Sequence, residues 1–298
     1  MNLIITGAAG FLGRKLATAL LNRGYLVGSE GRKNEITSLT LFDVREPEGL
    51  EADDRLRVRT GDISDASVVQ GLVDDETEGI FHLAAVVSAD AEENFDLGMR
   101  VNLDGTRNLL EACRNRENTP RLVFASSIAI FGGDLPSVVE DDYHVAPQSS
   151  YGMQKAVGEL LIQDYTRRGY VEGRSLRLPT VVIRPGKPNR AASTFDSSIL
   201  RDTLQGESAV CPVESDARIY IASPRQIIES LMHGFELSPE VVGGTTSLML
   251  PGISVTVAEI IESLRKFGGQ EAVDRIEWKP NQRLTSIVLS WPRHVNPQ

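Results

Sequence analysis

The stretch that decides the fold is residues 2–13, Asn-Leu-Ile-Ile-Thr-Gly-Ala-Ala-Gly-Phe-Leu-Gly. A short apolar run with β-branched residues ends at a glycine-rich turn, and a helical pattern begins at once. The run is too short for a buried helix and is typical of a parallel strand that is covered on both faces. The stretch therefore predicts a strand, a tight turn and a helix over Phe11–Arg23 that ends at Gly24.

The three glycines of this stretch have separate tasks. Gly7 permits a sharp turn, Gly10 leaves room for the backbone to approach a pyrophosphate, and Gly13 allows close packing of helix on strand. The helix that begins here presents free N–H groups and a positive dipole end to such a phosphate. The pattern predicts a dinucleotide-binding turn.

Composition limits the class of protein. The chain has 298 residues, of which 41% are hydrophobic, so it can bury a large core. A net charge of −10 argues against nucleic acid or an anionic membrane as the main partner. Two cysteines are too few for a disulfide framework, and no cysteine or histidine spacing indicates a metal site. No apolar run has the length of a membrane span, and we expect a cytoplasmic protein.

Strand-like and helix-like segments alternate through the first two-thirds of the chain. Further strands are predicted at Leu39–Val44, Leu56–Thr60, Gly79–Ala84 and Arg121–Ser126, and helices at about Asp65–Leu72, Met99–Asn115 and Tyr151–Arg168. This alternation predicts an α/β protein with a Rossmann-type, doubly wound parallel sheet. Ligands of such sheets bind at the carboxyl ends of the strands.

The pattern changes after Leu178, and the prolines and the glycine of Arg184–Ala192 predict a loop there. We expect residues 1–184 to form the cofactor-binding domain and residues 185–298 to form mainly a smaller, substrate-binding lobe. Within the second part, the apolar pattern of residues 225–237 predicts a helix that packs back on the first domain, and Thr256–Phe267 predicts another helix.

An acidic residue after the second strand normally binds the adenosine ribose and rejects a 2′-phosphate. If the second strand is Tyr25–Ser29, Glu30 or Arg32 takes that place, and Arg32 would favour NADP. If the second strand is Leu39–Val44, the residue is Asp43. The later run has the stronger strand composition, so Asp43 and NAD are favoured. Asp62, after the third strand, is placed to accept a hydrogen bond from the adenine amino group, to cap the next helix, or to do both.

Tyr151 and Lys155 carry the predicted chemistry. Their spacing of four puts both side chains on one face of a helix. A tyrosine with its ordinary pKa of about 10 is a poor base at neutral pH, but a nearby ammonium and a positive nicotinamide ring would lower that pKa. Lys155 could also hold the ribose of the nicotinamide. Ser127 follows the central strand and could hydrogen-bond the reacting oxygen, although Ser126 and Ser127 could also simply cap a loop.

Taken together, these motifs resemble the extended short-chain dehydrogenase/reductase family, which contains nucleotide-sugar epimerases and dehydratases. The matching motifs are Thr6-Gly7-x-x-Gly10-x-x-Gly13, Gly61-Asp62-Ile63, His82-Leu-Ala-Ala85, Val101-Asn-Leu-Asp-Gly-Thr106 and Tyr151-x-x-x-Lys155. The resemblance implies that Ser127 and Tyr151 handle the proton, that Lys155 activates the tyrosine and that Asn102 stabilises the active-site helix and lies at the cofactor. It further implies cofactor contacts from Phe11, Leu12, Ile63, Ala84, Ala85 and Pro179, whereas His82 is expected to be a packed strand residue.

Two stretches are more particular, His82–Ser88 and Arg177–Asn189. They resemble the branch of the family that oxidises a free four-carbon sugar acid at C2, which implies NAD as cofactor, a small sugar acid as substrate and hydride transfer from C2. Arg184 or Lys187 could pair with the substrate carboxylate. Thr180, Asn189 and Ser193 offer hydroxyl recognition, and Ser88 is expected near the reacting carbon. The family also implies a homodimer through Met99–Asn115 and Tyr151–Arg168.

Two other hypotheses remain open at this point. A nucleotide-sugar epimerase or dehydratase would hold its NAD tightly and return the hydride, but would need a basic, aromatic-lined pocket, for which 6% aromatic residues give little sign. A non-catalytic, cofactor-sensing regulator would have no need of Tyr151 and Lys155.

Overall fold

The computed structural model describes residues 1–28, 31–184, 186, 194–239 and 246–297. The strands in chain order are β1 (Asn2–Thr6), β2 (Tyr25–Val27), β3 (Lys33–Glu35), β4 (Ser38–Asp43), β5 (Leu56–Thr60), β6 (Thr77–His82), β7 (Arg121–Ser127), β8 (Val139–Glu140), β9 (Glu172–Leu178), β10 (Thr180–Val181), β11 (Ala209–Cys211), β12 (Arg218–Ala222), β13 (Ser247–Met249), β14 (Ile253–Thr256), β15 (Ile276–Trp278) and β16 (Val295–Asn296).

The α-helices of the described ranges follow the same order. They are α1 (Phe11–Arg23), α2 (Ala66–Gln70), α3 (Ser88–Glu93), α4 (Phe95–Gly98), α5 (Gly105–Arg114), α6 (Ser150–Arg167), α7 (Thr194–Leu204), α8 (Pro224–Glu236), α9 (Val257–Asp274) and α10 (Gln282–Leu289). A π-helix covers Met99–Asp104, and a 3₁₀ helix covers Ile128–Ile130.

Among these residues, seven strands form one parallel sheet in the order β13-β9-β7-β6-β1-β4-β5. From β1 the chain builds outward through β4 and β5, then returns to the other side of β1 and builds outward through β6, β7 and β9. The order therefore reverses between β1 and β6, where such sheets bind their ligands. The predicted doubly wound α/β sheet is confirmed.

Both faces of this sheet are buried because successive side chains of a strand point to opposite sides. In β1, Leu3 and Ile5 join a core that includes α1 and α8, whereas Ile4 joins a second core that includes α2, α5 and α6. A strand that is covered twice has no polar face, which explains the unbroken apolar run that begins the sequence.

The structure resolves the choice of second strand. β4 lies beside β1 in the main sheet, whereas β2 pairs with β3 in a short antiparallel hairpin. The stretch before β4 thus contains a two-stranded hairpin, and Asp43 stands at the carboxyl end of β4.

The C-terminal third contributes to two regions. α7, β11, β12, α9 and α10 enclose a separate hydrophobic core. In contrast, α8 packs on α1, β7 and β9, and β13 adds a strand to the edge of the main sheet. The last strand, β16, pairs with β8, which lies between β7 and α6 in sequence.

Two predicted helices differ from the observed ones. The pattern over Met99–Asn115 is divided into a π-helix and α5, because Asn102 turns inward to hydrogen-bond the backbone of Val86. The helix at Thr256 runs past Phe267 but is interrupted at Gly269, whose φ of 76° is not helical. In the part of the chain that the structure describes, no helix combines the length and the apolar character that a membrane span requires.

The packing of α8 on the main sheet can be tested at Phe235, whose ring stacks on Phe81 with centroids 5.3 Å apart and is 1% exposed. We expect Phe235→Ala to lower the free energy of unfolding by about 3–5 kcal/mol, since it removes a large buried side chain. The matched control is Phe267→Ala, since Phe267 is 87% exposed and its loss should change that free energy by less than about 0.5 kcal/mol. Urea unfolding measures both, and equal effects would contradict the packing described.

Candidate active site

The glycine-rich turn between β1 and α1 is closed by backbone contacts. Gly7 has a φ of +72°, and a Cβ there would lie 2.6 Å from the amide nitrogen of Ala84. A Cβ at Gly13 would lie 2.3 Å from the carbonyl oxygen of Gly7. Gly10 is the N-cap residue of α1 and has no side chain that could hydrogen-bond the first amides of the helix. Since no side chain occupies the helix N-terminus, its N–H groups face the neighbouring cavity.

Two adjoining cavities extend from this turn, and both are lined by Gly7, Gly10, Arg45, Leu83 and Ala85. The first, of about 430 Å³, also borders Phe42, Asp43, Asp62, Ile63 and Ala84. The second, of about 450 Å³, also borders Phe11, Leu12, Gly13, Ser88, Ser127, Tyr151, Lys155, Pro179, Thr180, Arg184 and Trp291. A cleft that passes from two carboxylates, over a glycine turn, to a tyrosine and a lysine fits an extended dinucleotide.

The two carboxylates of the first cavity have different neighbours. Asp43 Oδ2 accepts a hydrogen bond of 3.0 Å from the amide of Ala9, so its carboxylate also braces the glycine turn. Asp62 Oδ1 accepts from the amide and the hydroxyl of Ser64, each at 2.8 Å. The alternative that Asp62 caps the following helix was wrong, because Asp65 is the N-cap of α2 and accepts from the amides there.

Tyr151 lies half-buried on α6, one turn before Lys155, and hydrogen-bonds Ser127 at the end of β7. Ser127 Oγ also accepts from the amide of Ala129 at 3.1 Å, so the serine both caps the 3₁₀ helix and contacts the tyrosine. The two alternatives for Ser127 are therefore compatible, and its hydroxyl is held at the phenol oxygen.

The sequence analysis expected a lowered pKa for the Tyr151 phenol, and the structure differs from that expectation. Burial raises the pKa of Tyr151 to about 12, while the charge of Arg184 and the Ser127 hydrogen bond act to lower it. The expected acidic phenol is therefore not produced by the protein's own groups. Burial lowers the pKa of Lys155 to about 7, and its ammonium lies 5.7 Å from the ring centroid of Tyr151 and 4.6 Å from that of Phe124.

Arg184 is positioned by α7. Its amide donates to Ser197 Oγ at 3.0 Å, and its carbonyl oxygen accepts from Arg201 Nη1 at 2.8 Å. Burial raises the pKa of Asp196 to about 8, against the opposing effect of Arg184. The structure thus brings a guanidinium to the same cavity as Ser127 and Tyr151. Lys187, Asn189 and Ser193 lie outside the described residues.

Asn102 acts behind the cavity and is not part of its wall. Its Oδ1 accepts from the amide of Val86 at 2.7 Å, and its Nδ2 donates to the carbonyl of Val86 at 3.1 Å and to Gln154 Oε1 at 2.7 Å. Asn102 is absent from the described residues that line either cavity, and its side chain forms a bridge between the loop after β6 and α6. Its contact with the cofactor stays a prediction.

His82 is a packed strand residue. The ring is fully buried between the hydroxyls of Thr6, at 2.7 Å, and Thr106, at 2.9 Å. Burial lowers the pKa of His82 to about 3, so the imidazole is neutral and holds β6 against β1 and α5.

A buried polar network beneath the site was missed by the sequence analysis. Ser126 Oγ donates to the carboxylate of Glu159, and Arg177 donates to both oxygens of that carboxylate. The spacing of four between Lys155 and Glu159 could have placed the two side chains on one helix face, but the partner on β9 has no local signal. Trp291 and Arg45, which line the cavities, were also not predicted.

A family model and two related enzymes all match this chain over most of its length. The family model described as "NAD dependent epimerase/dehydratase family" matches residues 3–218. D-erythronate dehydrogenase of Cupriavidus necator is 52% identical over 100% of this chain and 91% of its own length. The enzyme of the same name from Haemophilus influenzae is 41% identical over 99% of this chain and 91% of its own length.

A solved structure described as the nucleoside-diphosphate-sugar epimerase from Agrobacterium tumefaciens aligns with a TM-score of 0.92 and 44% identity, over 100% of this chain and 87% of that one. The matched span includes the glycine turn, the serine strand and the tyrosine–lysine helix described above. This chain is a member of the NAD dependent epimerase/dehydratase family.

Proposed function

We propose that this protein is an NAD-dependent dehydrogenase that oxidises the C2 hydroxyl of D-erythronate to 2-dehydro-D-erythronate. The observation that carries the proposal is the shared cavity of Ser127, Tyr151, Lys155 and Arg184. This cavity contains groups that can transfer a proton, Ser127 and Tyr151, together with the Arg184 guanidinium, which can bind a small carboxylate. The identity of 52% and 41% to two D-erythronate dehydrogenases supports the same activity.

In the proposed reaction, Tyr151 takes the proton of the C2 hydroxyl, and Ser127 holds that oxygen by a hydrogen bond. Lys155 and Arg184 favour the phenolate as it forms, because each carries a positive charge close to the ring or to its oxygen. When bound, the nicotinamide ring supplies the acceptor for the hydride that leaves C2.

Substrate recognition is assigned to the wall that faces these groups. Arg184 pairs with the carboxylate of the sugar acid, as a planar guanidinium can bind both of its oxygens. Ser88 and Thr180, which line the same cavity, contact the hydroxyl groups. Asn189 and Ser193, whose side chains can hydrogen-bond hydroxyl groups, are proposed as further contacts from the sequence.

For the cofactor, Asp43 supports NAD. Its carboxylate lies in the cavity at the carboxyl end of β4, where it would accept hydrogen bonds from the adenosine ribose and repel a 2′-phosphate. Asp62, Ile63, Ala84 and Ala85 complete that end of the site.

We also propose a cellular location, an oligomeric state and a domain boundary. Both cysteines, Cys113 and Cys211, are buried and unpaired, which suits a cytoplasmic protein. A homodimer would use α5 and α6, where Leu160 is 64% exposed. We place the boundary between the cofactor-binding domain and the substrate-binding lobe at residue 184, with α8 and β13 assigned to the first.

The second candidate is a nucleotide-sugar epimerase, favoured by the name of the Agrobacterium tumefaciens structure. The two activities differ in their net chemistry, since an epimerase returns the hydride. We expect NADH to accumulate, measured by its absorbance, when the protein is mixed with NAD and D-erythronate in a screen of four- to six-carbon sugar acids. No net NADH with any sugar acid, together with epimerisation of a nucleotide sugar, would favour the second candidate.

The role of Tyr151 predicts that Tyr151→Phe lowers the turnover rate by about 10²–10⁴-fold, because the reaction loses its base. Binding of NAD, followed by fluorescence titration, should be retained, since the ring and Lys155 remain. Tyr25→Phe, in the β2–β3 hairpin, is the matched control and should leave turnover unchanged. Full activity of the Tyr151 variant would refute the assigned role.

The role of Asp43 predicts that Asp43→Asn lowers the ratio of kcat/KM for NAD to that for NADP by about 10–100-fold, since one charge-assisted hydrogen bond is weakened. Asparagine can still accept from the amide of Ala9, so the turn should stay intact. Asp54→Asn, at an exposed position, serves as the control. An unchanged ratio would show that another group selects the cofactor.

A further inference from the structure

We propose that Glu159 is a positioning residue of the active site: its carboxylate, fixed by Ser126 and Arg177, keeps the buried Lys155 ammonium charged. The inference deepens the proposed function, on which its catalytic part rests. It assigns a task to a buried acid that contacts none of the reacting atoms.

Lys155 has an unfavourable environment for a charge. The residue is 3% exposed, and its ammonium lies between the rings of Phe124 and Tyr151. In the described part of the chain, no carboxylate forms an ion pair with it within 4 Å. Burial of a charge without a close partner favours the neutral amine, and burial lowers the pKa of Lys155 to about 7.

Glu159 opposes this effect. It lies one helical turn beyond Lys155, so both side chains are on one face of α6. Its negative charge raises the pKa of Lys155 and is the charge that acts against burial. Because the surroundings are apolar, this interaction is screened far less than it would be in water.

The carboxylate of Glu159 is held in place from two strands. Ser126 on β7 donates to Oε1, and Arg177 on β9 donates from Nε at 3.1 Å and from Nη2 at 2.9 Å. Arg177 is itself held by the carbonyl of Asp141 at 2.8 Å and lies over the ring of Phe131. The carboxylate therefore cannot turn to meet Lys155, and acts on it through space.

Other titratable groups around α6 do not replace Glu159 in stabilising the charged form of Lys155. His82 faces Lys155 from β6 but is neutral, and Tyr151 is neutral as well. The remaining titratable groups on the helices packed against α6 are Asp90, Glu92, Glu93, Asp96, Arg100, Asp104, Arg107, Glu111 and Arg114. The strands packed on α6 carry Arg121, Glu172, Arg174 and Arg177, of which Arg177 is paired with Glu159. Burial and the charge of Glu159 are the two influences that act on the pKa of Lys155.

The role of Glu159 predicts the direction in which the pH dependence of activity shifts when its charge is removed. Lys155 is charged below its pKa and neutral above it. If the charge of Glu159 is removed, that pKa falls further, and Lys155 loses its proton at a lower pH. Activity that needs the ammonium must then be lost earlier as the pH rises.

The test compares Glu159→Gln, which removes the charge, with Glu159→Asp, which keeps it. Lysine side-chain NMR of the protein, with the Lys155 signal assigned by its loss in Lys155→Met, gives the pKa of the ammonium without any substrate. We expect Glu159→Gln to lower this pKa by about 1 or more. Glu159→Asp should keep it near the wild-type value.

Activity provides a second readout. The alkaline limb of kcat/KM for NAD and the sugar acid should move to lower pH by the same amount in Glu159→Gln and recover in Glu159→Asp. If no sugar acid is turned over, the proposed function fails, but the NMR titration still decides the role of Glu159. An identical titration of Lys155 in wild type and Glu159→Gln would overturn the inference.

Glu159→Gln leaves the Arg177 guanidinium buried without its partner, which could prevent folding. The double variant Glu159→Gln, Arg177→Met removes both charges and keeps similar volumes. We expect it to fold and to show a lower pKa of Lys155 than Arg177→Met alone, from which it differs only by the charge of Glu159. An equal pKa of Lys155 in the double variant and in Arg177→Met would mean that the pair is structural only, and would also overturn the inference.

Discussion

The contact on which the site depends is the approach of the glycine turn to the loop after β6. At Gly7 and Gly13 a side chain would collide with backbone atoms at less than 3 Å, so the turn can close only where Cβ atoms are missing. This closure sets α1 against β1 and β6 at the point where the strand order reverses. The cleft, its two carboxylates and the tyrosine–lysine helix are arranged around that point, and any enlargement of the turn would displace all of them.

Much of this arrangement could be predicted from the sequence, because its determinants are local. The apolar run of β1, the spacing of Gly7, Gly10 and Gly13 and the pair Tyr151 and Lys155 each depend on a few neighbouring residues. The choice of β4 over β2 as the second strand also followed from composition, since a strand buried on both faces needs an apolar run. Identity of 52% and 41% to D-erythronate dehydrogenases agrees with that analysis.

What the sequence could not show depends on contacts between distant segments. The pKa of Tyr151 is governed by its burial and by Arg184, which α7 positions from the C-terminal part of the chain. The carboxylate of Glu159 meets Arg177 only because α6 packs on β9. The inward turn of Asn102 likewise follows from a hydrogen bond to Val86, and the helical pattern alone gave no sign of a π-helix.

The path of the chain through the C-terminal third has a consequence for folding. The core enclosed by α7 and α9 is assembled from two stretches, and between them the chain leaves to supply α8 and β13 to the main sheet. Neither stretch can complete that core alone, since the core draws residues from both. The contacts are of high sequence separation, so loop-closure entropy must be overcome before they form. Both cores should therefore melt in one cooperative transition, with no separately folded C-terminal intermediate.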